Sequence, residues 1–265
     1  MKQVTSGRAR LATFVAGSGA PVVFLHAAVC DSRMWQGQIE AVGGTHQAIA
    51  YDRRGFGRTV AEQEDHSAVA DLLAVLDVVA AGRPATLVAC SQGGRVALDA
   101  ALLHPECIRG LVLISPSVAG APDPVLSPEI EALVARQKQA EAAGDLDRVN
   151  AIKAHLWLDG PLQLEGRVVG AARALFLDMN GIALRAPPAG ANVDAVSAFQ
   201  RLGEISVPAL VICGAYDFPH IAERCRHLAT AMPHTVHHAL PGAAHLPSIE
   251  RPAEITALIG KFLGN

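Results

Sequence analysis

Apolar residues along this chain fall into two alternating rhythms. Short apolar or β-branched runs lie at 10–15, 22–26, 47–51, 85–90, 111–114, 209–213 and 235–240. Several of these runs have no polar residue at alternate positions, the pattern of a strand covered on both faces. Between them lie stretches with helical spacing. Val69, Leu72, Leu73, Leu76 and Val79 predict a helix over 67–81, with Ser67 at its start and Gly82 and Pro84 ending it. Ile255, Leu258, Ile259 and Phe262 predict a closing helix over 252–262. Strands alternating with helices predict an α/β fold, a mostly parallel sheet covered on both faces. Ligands of such sheets sit outside the carboxyl ends of the strands.

The rhythm breaks from 121 to 200. Apolar positions there recur only at helical spacing: Ile130, Leu133 and Val134, then Val149, Ile152 and Leu156, then Val168, Val169, Leu175, Phe176 and Met179. No strand is predicted. The expected organisation is a core domain of residues 1–120 and 201–265 with a helical cap subdomain, 121–200, inserted over the ligand-binding edge.

The chemistry concentrates at residues 87–94, Leu-Val-Ala-Cys-Ser-Gln-Gly-Gly. A buried strand runs into a serine, two glycines follow, and a helical pattern begins at Arg95. A hydroxyl on such a turn projects into open space, within reach of a base and a substrate carbonyl. Residues two before and two after the apex must be small. Around Ser91 these are Ala89 and Gly93; around Cys90 they are Val88 and Gln92. The spacing selects Ser91 over the neighbouring thiol.

Other segments end in polar or small-residue loops. Val22–Leu25 leads into His26, Ala27 and Ala28. Tyr51 leads into Asp52-Arg53-Arg54-Gly55-Phe56-Gly57. Ala209–Gly214 leads to Asp217, and Leu240-Pro241-Gly242-Ala243-Ala244 leads to His245. Nucleophile, acid and histidine thus follow in chain order, each past a strand. In this the chain resembles the α/β-hydrolase superfamily, over about residues 10–263. The residues around 51–59 and 241–252 are most similar to its esterase, enol-lactonase and carbon–carbon-bond hydrolase branches.

The resemblance implies a catalytic triad of Ser91, Asp217 and His245 and no cofactor. His245 would be the base and Asp217 the carboxylate that orients it. The loop after the run at 111–114, with Asp123, is the alternative place for the acid. The oxyanion hole is expected from the backbone N–H groups of Gln92, at the start of its helix, and Ala28. His26 is expected to brace that loop. His26, Trp157 and Phe176 are the candidate substrate-binding side chains. Apolar cap residues such as Leu156, Leu158 and Met179 predict a roof suited to neutral, partly apolar acyl chains; Arg167, Arg173 and Arg185 are the candidates to hold a charged one. The chain departs from the family at Ala27 and Ala89, where glycine is usual. A left-handed backbone at either would cost alanine about 1 kcal/mol or more.

The expected activity is hydrolysis of a small or medium carboxylic ester or lactone through an acyl-enzyme. A carbon–carbon bond hydrolase with the same triad, or a ligand-binding member with a slow triad, is the alternative. Composition adds exclusions. The net charge is −3 and no basic run occurs, so a nucleic-acid partner is not expected. Five scattered cysteines suggest neither a disulfide framework nor a zinc site, and the clustered His234, His237 and His238 have no carboxylate or cysteine at ligand spacing. No uncharged run approaches the ~20 residues of a membrane helix. A cytoplasmic protein with a small-molecule substrate, no metal and no membrane partner is expected.

Overall fold

The computed structural model describes residues 1–264; Asn265, at the end of the expected core domain, lies outside them. Nine strands form one sheet: β1 (Lys2–Ser6), β2 (Ala9–Ala16), β3 (Pro21–Leu25), β4 (Gln47–Tyr51), β5 (Val60–Ala61), β6 (Ala85–Cys90), β7 (Ile108–Ile114), β8 (Ala209–Gly214) and β9 (Thr235–Leu240). Their order is β1-β2-β4-β3-β6-β7-β8-β9, with β5 paired to β2. From β4 to β9 every neighbouring pair is parallel; β1, β2 and β5 form an antiparallel margin.

The helices are α1 (Gln36–Val42), α2 (Ala68–Ala80), α3 (Gln92–Leu103), α4 (Pro128–Ala142), α5 (Leu146–Ala154), α6 (Gly170–Arg185), α7 (Ala198–Arg201), α8 (Pro219–Ala231), α9 (Pro247–Glu250) and α10 (Pro252–Leu263). The Ser67 hydroxyl accepts the Ala70 N–H at 2.9 Å and caps α2, as its place before the apolar run predicts. Alternate residues of the central strands serve opposite faces. Val23, Leu25, Leu87, Ala89, Leu111, Leu113 and Val211 share one core with α2, α3 and α8. Phe24, Val88, Val112, Ile114 and Ile212 share the other with Val42 of α1 and Ile255 and Ile259 of α10. Both faces are dry, which is why these strands read as unbroken apolar runs.

β1 and β5 were not legible in the pattern. β1 buries Val4 fully and leaves Lys2, Gln3 and Thr5 exposed, and β5 is two residues long. An edge strand needs little apolar surface because its neighbour supplies the ladder. The segment 121–200 holds only helices and one isolated bridge, His66 to Asn192. A π-helical turn, His155–Asp159, extends α5.

The apolar residues of these helices divide between the two cores. Val149, Ile152 and Leu156 pack into one; Leu158, Phe176 and Met179 pack into the other. They anchor the helices to the sheet edge.

Candidate active site

Ser91 stands between β6 and α3 with φ 52° and ψ −117°. This conformation lies outside the wells that a non-glycine residue favours and costs on the order of 1–3 kcal/mol. The fold holds it there. The Ser91 N–H donates to the Ile114 carbonyl at 3.0 Å, and the Ser91 carbonyl accepts from Ser117 at 2.9 Å. Gly93 lets α3 lie against β3, since a Cβ there would sit 2.4 Å from the Leu25 carbonyl oxygen. The small-residue spacing that selected Ser91 reflects this crowding. Ala27 and Ala89 are absent from the positive-φ residues, so the two alanines carry none of the backbone strain a left-handed position would impose.

Cys90 is fully buried, and burial pushes its thiol well above the usual range; its Sγ lies 3.7 Å from the His245 carbonyl. A buried, protonated thiol is a weak nucleophile.

Asp217 and His245 meet because the loops after β8 and β9 are laced together. Ala215 N–H donates to the Leu240 carbonyl and Tyr216 N–H to the Ala243 carbonyl, both at 2.9 Å. Gly214 permits this approach, since a Cβ there would sit 2.1 Å from the Ala244 carbonyl. His245 Nδ1 is 2.8 Å from Asp217 Oδ2 and 3.0 Å from Oδ1. A carboxylate only accepts, so the imidazole proton sits on Nδ1 and Nε2 keeps its lone pair. Nε2 is buried and has no hydrogen-bond partner. Asp123, in the alternative acid loop, is exposed and outside the residues lining this site.

Ser91 and His245 line one cavity of about 400 Å³, together with Ala28, Val29, Gln92, Ser117, Gln137, Lys153 and Trp157. Ala28 and Gln92 therefore border the same space as the Ser91 hydroxyl. Gln92 opens α3, where first-turn N–H groups have no intrahelical acceptor. Trp157 stacks at a tilt on His245, with ring centroids 4.7 Å apart.

Not every candidate reaches the cavity. His26 is fully buried and sits behind the wall. Its Nε2 accepts the Arg53 N–H at 3.0 Å, which puts its proton on Nδ1, 2.8 Å from the Ala27 carbonyl. Burial, then the nearby Arg53 charge, holds its pKa well below the ordinary value. It is the neutral brace that its position suggested and makes no wall of the cavity. Phe176 is also fully buried, packed with residues of the sheet in one core. The three candidate arginines are engaged elsewhere: Arg167 with Glu250, Arg173 with Asp159 and Arg185 with Asp147. None lines this cavity.

Arg53 is the positioning residue that motif reading missed. Its guanidinium donates to the Gln92 side chain at 2.9 Å and to the His26 carbonyl at 3.0 Å. It thus ties the start of α3 to the loop carrying Ala28. Burial pushes its pKa down to about 10. Arginine on the loop after β4 was visible; only the fold reveals what it bridges. Among the described residues, no cluster of three His, Cys, Asp or Glu could hold a metal, and no helix is long and apolar enough to cross a membrane.

A family model described as the alpha/beta hydrolase family matches residues 22–258. The chain belongs to the alpha/beta hydrolase family. Within that family it is 30% identical over 251 residues to a Variovorax paradoxus protein named as a putative carbamate hydrolase, covering 88% of this chain and 87% of the relative. It is 25% identical over 249 residues to a pimeloyl-[acyl-carrier protein] methyl ester esterase of Vibrio atlanticus, covering 88% and 90%. The enol-lactonase of Burkholderia xenovorans has the same fold, with a TM-score of 0.76 at 24% identity over 98% of both chains. The hydrolase relatives thus include one named as an esterase and one named as a putative carbamate hydrolase.

Proposed function

We propose that this hydrolase cleaves carboxylic esters or lactones through an acyl-enzyme on Ser91. The observation that carries the reading is the strained, cavity-lining Ser91 beside an imidazole whose free Nε2 is backed by a buried carboxylate. The hydroxyl attacks the substrate carbonyl while His245 Nε2 takes its proton. The tetrahedral oxyanion is held by the Ala28 and Gln92 N–H groups, and the α3 dipole adds to the second. His245 then returns the proton to the departing alkoxide. Water, activated by the same nitrogen, hydrolyses the acyl-enzyme and frees Ser91. Asp217 keeps the imidazole in the productive tautomer and stabilises its cation.

Apo geometry need not hold the serine–histidine hydrogen bond closed, since such bonds tighten in the substrate complex. Residues 121–200 serve as the cap that closes the cavity from above. The esterase and lactonase names among its relatives support the substrate class. Five free cysteines, four of them buried, fit a reducing cytoplasm.

The test is turnover of p-nitrophenyl esters and lactones graded by acyl length, by the wild type and Ser91→Ala. The wild type should hydrolyse members of the panel, and Ser91→Ala should lose on the order of 10⁶ in kcat. Full activity in Ser91→Ala would overturn the reading.

A further inference from the structure

The roof of the Ser91 cavity is apolar only in part: Trp157 lines it as expected, and polar side chains share it. Lys153 and Trp157, four residues apart on α5 and its π-helical extension, present one helical face to the cavity, and Gln137 of α4 joins them. Lys153 is the one lysine or arginine on the cavity wall, and no carboxylate lines it. Its ammonium has no hydrogen bond or ion pair among the described residues. Glu141 acts on it only at longer range and is itself the acceptor of the Gln137 side-chain amide at 2.9 Å.

The contrast with three arginines of the same segment is direct. Arg167, Arg173 and Arg185 each have an acidic partner on or near the cap. Lys153 is half-buried without one, and desolvation lowers its pKa. A partly desolvated ammonium with spare donors gains most when an anion enters beside it. Gln137 and Ser117 supply further polar groups on the same wall.

We propose that Lys153 binds a carboxylate on the substrate, so that the preferred esters or lactones carry a free acid group besides the bond that is cleaved. This deepens the proposed function and rests on it. The charge is recognised by the cap while the core performs the chemistry, so Lys153 is a specificity residue that touches a non-reacting part of the substrate.

The test compares matched substrates. Monomethyl esters of succinate, glutarate and adipate carry the acid on the acyl side; their dimethyl esters are the neutral counterparts. Acetyl glycolate and its methyl ester place the same choice on the leaving-group side. In one of these series the wild type should favour the acid over its neutral counterpart, by roughly ten- to a hundredfold in kcat/KM. Lys153→Met should bring that ratio close to unity, with the loss appearing in KM. Lys153→Arg should keep most of the preference, and Lys153→Glu should invert it. No preference in the wild type, or the same preference in Lys153→Met, would overturn the assignment of Lys153 while ester hydrolysis itself stands. Turnover of none of these esters, nor of the p-nitrophenyl panel, would overturn the hydrolase reading and this inference with it.

Discussion

The floor and the roof of the Ser91 cavity are built by different physics. The floor comes from backbone. Ser91 is held at φ 52°, α3 crosses β3 closely enough to require Gly93, and the loops after β8 and β9 are joined by main-chain hydrogen bonds. The roof comes from side chains on helices. Lys153, Trp157 and Gln137 reach the cavity only because α4 and α5 are docked by Ile130, Leu133, Val149 and Ile152, which pack into the sheet-side core. Backbone geometry constrains residue type strongly; a docked helix face constrains only apolar spacing. On the proposed function the floor would fix where chemistry occurs, and the roof would be free to vary what is admitted.

The larger neighbouring cavity makes the same point. It encloses about 690 Å³ between the 55–61 loop and α5 and α6, yet its lining contains no serine, cysteine or histidine. Volume alone does not mark a site. The smaller cavity has the strained residue and the unpartnered imidazole nitrogen.

Changes to the floor should act on rate. Asp217→Asn should lower kcat by about 10⁴, because an amide can donate to Nδ1 and favour the wrong tautomer. Steady-state kinetics on a neutral ester would check this, and retention of wild-type kcat would move the orienting acid elsewhere. Gly93→Ala should push α3 off the Leu25 carbonyl. It should cost about 1–3 kcal/mol of stability by denaturant unfolding, with activity falling alongside. A variant of unchanged stability and rate would show that the elbow tolerates a methyl group there.

Changes to the roof should act on selection. Trp157→Ala should alter ranking among acyl chains by about fourfold for each substrate methylene that the indole no longer covers, at about 0.8 kcal/mol per buried CH₂. The smallest ester should keep nearly its wild-type kcat. A uniform fall in kcat across the series would place Trp157 with the floor, through its stacking on His245.

These regions also differ in what the sequence could reveal. Ser91 was legible because few residues fit a strand–turn–helix apex, and Ala89 and Gly93 satisfy its crowding. The parallel strands were legible because two dry faces demand unbroken apolar runs. β1 and β5 were not, since an edge needs only a ladder partner. The cap apolar residues were seen, but helical spacing does not say which way a face points. Leu156, Leu158, Phe176 and Met179 are anchors, while Trp157 reaches the cavity as expected and shares the roof with a polar residue, Lys153. Arg53 and His26 show the intermediate case. The brace was expected of His26 from its place in the loop, but the part Arg53 plays in it needs β3, β4 and α3 to come together.

The smallest expected effect concerns that brace. His26 is buried neutral, with its pKa well below 6.5. Below pH 6.5 the unfolded chain takes up a proton that the folded chain does not. Its contribution is therefore complete above that pH and is lost as pH falls, by at most about 1.4 kcal/mol per pH unit. Asp99, pushed up to about 6 by burial, acts with the opposite sign in the same acid range. The difference in stability between wild type and His26→Gln isolates the histidine. It should shrink from about pH 7 to about pH 5, measured by urea unfolding. A pH-independent difference would contradict a neutral His26.

The central claim is that Ser91, raised by its turn and served by His245, is an activated nucleophile. Reaction with a fluorophosphonate probe followed by peptide mass spectrometry tests it most directly, because the probe needs an activated hydroxyl and no knowledge of the substrate. The account predicts one adduct per chain, on Ser91, present in Cys90→Ser and absent in Ser91→Ala and His245→Ala. An unlabelled wild type, or labelling that survives Ser91→Ala, would contradict it.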